Sequence, residues 1–166
     1  MHKQLLFSAF LLMAISSWAQ ILKVTSIERV NLPHDERAEQ VVGISHAGNV
    51  ILLSSQSQEG LVCYDLDKRQ STVISESPAA GFNARLSSDG KSVVFQEMSL
   101  SDDGISTRHG LKSFNIKNKV AKQLVAPTEK FSSFSLSGDV AVAMTTDRKL
   151  SIKNLKGTTP APKSLS

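Results

Sequence analysis

The chain has one cysteine, one tryptophan and one tyrosine in 166 residues. A single thiol excludes an internal disulfide framework. Five prolines and nine glycines are too few for a collagen-like or low-complexity polymer. Charge of one sign is also lacking, because 19 Lys and Arg against 15 Asp and Glu leave +4, which does not call for a polyanionic partner. Few aromatic rings are present to stack bases, so no nucleic acid is expected. Long hydrophobic runs are missing too: the apolar stretch Leu5 to Ile15, broken by Ser8, is well short of the roughly 20 residues a membrane-crossing helix needs. What remains is 40% hydrophobic and 20% charged, the balance of an ordinary globular chain.

That stretch follows Met1-His2-Lys3 and ends in Ser16-Ser17-Trp18-Ala19, small residues where a signal peptidase reads. It predicts a signal peptide over residues 1–19, cleaved after Ala19. No membrane span is left after cleavage, and the expected location is periplasmic or extracellular. Loss of the segment takes Trp18 with it, leaving Tyr64 and Phe82, Phe95, Phe114, Phe131 and Phe134 as the aromatic residues. Cys63 lies in the apolar run Leu61-Val62-Cys63-Tyr64 and reads as a small buried hydrophobe.

The rest of the chain repeats, and a period of 20 to 50 residues decides an architecture. Three segments align on Gly48, Gly90 and Gly138. Each reads as a strand, a glycine turn, a more apolar strand (Val50 to Leu53, Val93 to Phe95, Val140 to Met144), a loop, and a third strand. The third strand ends in Asp65, Asn115 or Asn154, side chains that bond their own backbone two residues on and so form turns. Ser88-Asp89-Gly90 is the clearest glycine turn. A fourth strand follows as Ser71 to Ile74 and as Val120 to Val125; in the last unit Thr158-Thr159-Pro160-Ala161-Pro162 stands there, a poor strand.

Four antiparallel strands per unit of some 40 to 45 residues mark a β-propeller blade. An all-β sandwich also has short strands, but gives no reason for one turn pattern to recur at one period. The expected fold is therefore all-β: a partial β-propeller of about three four-stranded antiparallel blades behind a signal peptide. The domains are expected as an N-terminal strand and linker (20–40), blades at about 41–80, 82–127 and 131–157, and a proline-containing tail (158–166). Val24, Ser26, Glu28 and Val30 alternate in the manner of a strand.

Arg85-Leu86-Ser87-Ser88-Asp89-Gly90-Lys91-Ser92-Val93-Val94-Phe95 resembles the TolB-type propeller repeat, an S-x-D-G-K turn followed by an apolar strand. Ile44-Ser45-His46-Ala47-Gly48 and Leu136-Ser137-Gly138-Asp139 are degenerate copies, and the resemblance covers about residues 40–157. It implies a six-bladed propeller fold of the kind found in bacterial envelope proteins and in prolyl-oligopeptidase-type peptidases. Three blades rather than six are present, with neither a separate α/β domain nor a hydrolase domain.

The sequence offers little chemistry. Gly43-Ile44-Ser45-His46-Ala47 comes nearest to a nucleophile elbow, with alanine in place of the second glycine, and neighbours on a strand point to opposite faces. His34, His46 and His109 share no metal-ligand spacing. Asp102 and Asp103, in an insertion over residues 99–110, are weak metal candidates without the alternate-position ligands of a calcium loop; a solvated loop is the expected reading. No cofactor is expected. The chain therefore reads as a non-catalytic propeller module that binds a protein or peptide, with a homodimer as one way to complete the ring. The alternatives are a fragment or degenerate relative of the propeller domain of a prolyl-oligopeptidase-type serine peptidase, and a sugar- or polymer-processing propeller enzyme.

Overall fold

Short apolar runs separated by turn-forming residues fold into eleven strands and no helix among the described residues, which are 29–30, 32 and 38–157 of a computed structural model. The chain divides into two units, Met1–Asn31 and Leu32–Ser166. Of the first, only Arg29 and Val30 are described, outside any strand. The expected signal peptide, most of the expected N-terminal strand and the expected tail lie outside the described residues.

The second unit carries three antiparallel sheets. The first is β1 (Gln40–Ile44), β2 (Val50–Ser54), β3 (Leu61–Asp65) and β4 (Gln70–Ser75). The second is β5 (Arg85–Leu86), β6 (Ser92–Leu100), β7 (Thr107–Asn115) and β8 (Val120–Thr128). The third is β9 (Phe131–Ser137), β10 (Val140–Thr145) and β11 (Leu150–Asn154). Within each sheet the strands lie side by side in chain order, as expected when every link is a hairpin.

Packing joins the sheets face to face. Val50, Leu52, Leu61 and Cys63 of the first sheet meet Val93, Phe95 and Phe114 of the second, with Ala80 and Ala84 of the connecting segment in the same cluster. On the other face of the second sheet Val94, Leu111 and Leu124 meet Phe131, Ala141 and Ala143 of the third. Consecutive residues Val93, Val94 and Phe95 are all buried because alternate side chains enter opposite clusters. The continuous apolar run is thus a strand covered on both faces. The remaining face of the first sheet holds Leu53, Val62 and Tyr64, with Leu32, Ala38, Ile51 and Leu66 against them.

Several features differ from the expectation. The insertion at 99–110 is half strand: β6 and β7 pair from Ser92↔Asn115 out to Leu100↔Thr107, and residues 101–106 form the turn. Hairpin pairing satisfies the backbone groups that a loop would leave to water. In the third unit, Val140 pairs directly with Ser137, so Gly138-Asp139 is a two-residue turn, tighter than the other two. β10 alternates between buried Ala141 and Ala143 and partly exposed neighbours, because among the described residues no sheet covers its second face. The third sheet shows three strands among those residues.

Candidate functional site

The polar residues singled out in the sequence are occupied in building turns. Ser87 donates its hydroxyl to the Asp89 carboxylate (2.7 Å) and accepts from the Ser92 N–H (3.0 Å), while Asp89 also accepts from the Lys91 N–H (3.1 Å). Gly90, at φ 66°, closes the reversal; positive φ is a conformation glycine adopts without steric penalty. Ser88 sits exposed at the apex. The hydroxyl that organises the turn therefore belongs to Ser87, the serine of the S-x-D-G-K pattern, and not to Ser88 of the shorter Ser88-Asp89-Gly90 turn. Ser45 repeats the device, donating to Asn49 Oδ1 (3.0 Å) and accepting from the Val50 N–H (3.0 Å), with Gly48 at φ 74°.

The opposite ends of the hairpins reuse it. Ser101 donates to Asp103 and accepts from the Ser106 N–H, and Asp103 accepts from the Ile105 N–H. Ser101-Asp102-Asp103-Gly104 is thus another S-x-D-G turn, with Gly104 at φ 68°, and Asp102 pairs with Arg108 at 3.3 Å. Thr145 likewise donates to Asp147 and accepts from the Lys149 N–H. Asp65, Asn115 and Asn154 each accept backbone N–H groups two or three residues ahead, from Lys68, from Lys117 and Asn118, and from Lys156.

These bonds set the electrostatics. The Ser87 hydroxyl, then the Lys91 N–H, holds the Asp89 carboxyl below its usual value; Lys68 does the same for Asp65, Ser101 for Asp103 and Thr145 for Asp147. Hydrogen bonding to the charged form favours it. Lys156 ties neighbouring sheets together through Asp139 (2.6 Å) and Asp89 (3.4 Å), and the pair with Asp139 raises the lysine pKa. Burial, then Asp65, pushes the Cys63 thiol up to about 11.

The described histidines are apart: His46 is exposed in the first turn, and His109 on β7 meets Gln96 Nε2 through Nδ1 (2.6 Å) beside the Phe131 ring. Among the described residues no three His, Cys, Asp or Glu side chains are grouped to hold a metal ion.

What is left unengaged is backbone and apolar surface. The first strand of each sheet, β1, β5 or β9, has one edge without a partner strand among the described residues, and β1 lies beside β5. A register shift between Val41 and Gly43 is a bulge, which re-aims side chains; Val41 and Ile44 are 64% and 62% exposed. Arg85, exposed on β5, donates to the Ala84 carbonyl (3.2 Å). Sequence reasoning missed this edge because the first strand read only as a strand less apolar than the one after its glycine turn, with nothing to mark Val41 and Ile44 as exposed.

Three antiparallel sheets in series, packed face to face and each ordered as a meander, define a partial β-propeller. No family model matches the sequence, and no curated protein matches it. Among solved structures, the tricorn protease is similar with a TM-score of 0.54 at 8% identity, over 62% of this chain and 10% of that one. An acylaminoacyl peptidase from Pyrococcus horikoshii gives 0.49 at 13% identity, over 61% and 19%. TolB from Acinetobacter baumannii gives 0.46 at 22% identity, over 74% and 32%. The likeness to the tricorn protease is one of fold alone, and the sheets described above are those of a partial propeller, the fold the TolB-like repeat implied. The chain spans about a third or less of the length of each of these structures.

Proposed function

We propose that the chain is a non-catalytic propeller module, acting in the periplasm or outside the cell, that binds an extended protein or peptide segment along the first-strand edge. The supporting observation is the division of labour among its residues. Asp65, Asp89, Asp103 and Asp147 are engaged in turns, whereas β1 offers an unpartnered edge with exposed Val41 and Ile44. An extended peptide adds to such an edge through main-chain hydrogen bonds, and its alternate side chains meet the exposed apolar positions.

A photo-reactive amino acid at Val41 tests this in cells. The reading expects a discrete covalent adduct with a polypeptide from Val41 and none from Val120, an exposed position on β8. Equal labelling from both positions, or from neither, overturns it. The likeness to the tricorn protease favours a second reading, a propeller portion of a peptidase. A G-x-S-x-G segment on a longer reading frame, together with peptide hydrolysis by its product, would establish that alternative.

A further inference from the structure

The net charge of +4 is unevenly placed. In each sheet the glycine turn is bonded to the turn after the third strand: the N–H groups of Leu66, Ile116 and Leu155 donate to the carbonyls of Asn49, Lys91 and Asp139 (2.9, 2.9 and 2.8 Å). These ends also meet from sheet to sheet. A Cβ on Gly90 would lie 3.2 Å from Ser45 Cβ, and Lys156 reaches back to Asp89. The glycine-turn tips of all three sheets therefore follow one rim. Hairpin-linked strands alternate in direction, so the remaining turns share the opposite rim, where Met98 donates to the Pro78 carbonyl and His109 meets Phe131.

On the glycine-turn rim the flanking sheets pair their tip lysines, Lys68 with Asp65 at 2.5 Å and Lys156 with Asp139 at 2.6 Å. The second sheet does not. Lys91 stands in its glycine turn, Lys117 and Lys119 in the adjoining turn and Lys122 near the start of β8, with Asp89 as the one carboxylate among them. Four lysines against one carboxylate leave +3. Asp89 is already taken by the Ser87 hydroxyl, the Lys91 N–H and Lys156. All four lysines are exposed, and among the described residues none of them is ion-paired. Val120, 56% exposed, adjoins Lys119. At its opposite end the same sheet is acidic: Arg108 faces both Asp102 and Glu129, with Asp103 in the same turn.

We infer that the rim of the second sheet formed by Lys91, Lys117, Lys119 and Lys122 docks the chain on an anionic lipid bilayer. Phosphate-bearing headgroups spread negative charge over a plane, and lysine ammonium groups on flexible stems meet it as point charges without a directional fit. Hairpin tips along a rim present them in that manner. Recognition of a carboxylate-bearing peptide favours bidentate arginine, whereas all four unpaired cations here are lysines. Val120 beside them supplies an apolar side chain for the headgroup boundary, and the acidic opposite end is turned away by repulsion. Sheets of this same chain flank the second sheet on both faces, so the rim is complete within residues 38–157. Docking here and peptide addition at the β1 edge use different residues, and either stands without the other.

Co-sedimentation of the full chain with lipid vesicles tests it. Vesicles of phosphatidylcholine and phosphatidylglycerol in equal parts are expected to bind about tenfold more tightly, or better, than phosphatidylcholine alone. The neutral vesicles report any partition of the apolar stretch Leu5 to Ile15 by itself. About 1 M salt, where the screening length is about 3 Å, should abolish the preference. Each lysine near an anionic surface contributes a factor of about 5 in affinity, so Lys117→Gln combined with Lys119→Gln is expected to lose about 25-fold. Lys130→Gln combined with Lys149→Gln removes the same net charge from the opposite rim and should stay within about 2-fold of the parent. All four positions are exposed, so both pairs should unfold in urea as the parent does. Equal losses from the two pairs, no preference for phosphatidylglycerol, or a preference indifferent to Lys117 and Lys119 would each overturn the inference. Binding of poly-glutamate that depends on Lys117 and Lys119, without binding to anionic vesicles, would overturn it in favour of an acidic polypeptide.

Discussion

A Cβ placed on Gly81 would fall inside the van der Waals radius of Ser54 Oγ, 2.5 Å from Ser54 Cβ and 3.2 Å from the Gln58 carbonyl oxygen. Ser54 is fully buried at the end of β2 and donates its hydroxyl to the Gly60 carbonyl (2.8 Å), so it has no room to yield. Gly81 itself donates its N–H to Gln58 (3.0 Å), which pins the segment between the first two sheets against the β2–β3 turn. Gly81→Ala is therefore expected to cost about 3 kcal/mol, the upper part of the overpacking range. Gly48→Ala, where only positive φ opposes the methyl group, is expected to cost about 1 kcal/mol. Urea denaturation separates the two, and a Ser54→Gly background should recover part of the Gly81→Ala loss, since residues in contact are not additive.

The hydroxyl of Ser87 organises its turn, and adjacent Ser88 supplies a direct internal control. Ser87→Ala removes the donor to Asp89 and the acceptor for the Ser92 N–H at a position only 2% exposed. A loss of about 1–2 kcal/mol is expected. Ser88→Ala, at the exposed apex, should stay within about 0.5 kcal/mol of the parent. Equal effects in thermal or urea unfolding would count against the arrangement of bonds described for this turn.

Acid stability follows from the same turns. Asp65, Asp89, Asp103 and Asp147 all have pKa values lowered from 3.8 by hydrogen bonds in the folded chain. Below pH 3.8 the unfolded chain binds more protons than the folded one, so stability falls with falling pH. The contribution is complete above the unfolded value and is lost as pH drops through the lowered folded values. Asp89→Asn should be less stable than the parent at neutral pH and should lose less on acidification. Unfolding midpoints measured across this window read the difference.

How far the sequence disclosed these features depends on the range of the interaction involved. The Gly48, Gly90 and Gly138 turns are local and were legible from spacing alone. Ser101-Asp102-Asp103-Gly104 is the same local string, yet it sits at the far end of its hairpin and outside the 42-residue and 48-residue spacing of those glycines, which made it look like an inserted loop. Gly81 was silent, because what fixes it is Ser54, distant in sequence and close only after folding. The exposure of Val41 and Ile44 was equally hidden, since a bulge between Val41 and Gly43 breaks the period that assigns strand faces.

Cys63 provides a reporter for these stability changes. It is 2% exposed in β3, within the cluster joining the first two sheets. Its thiol is raised to about 11, first by burial and then by Asp65, against a smaller opposing effect of Lys68. Thiol reagents attack the thiolate, so the native chain should react at neutral pH only through opening of this joint. In urea above the unfolding midpoint, reaction should be rapid and stoichiometric. Gly81→Ala loosens the same region and should speed native-state labelling of Cys63 more than Gly48→Ala does, in proportion to the stability lost when reclosing outpaces reaction. Fast labelling of the untouched native chain would show that the thiol is accessible and that the joint is not closed around it.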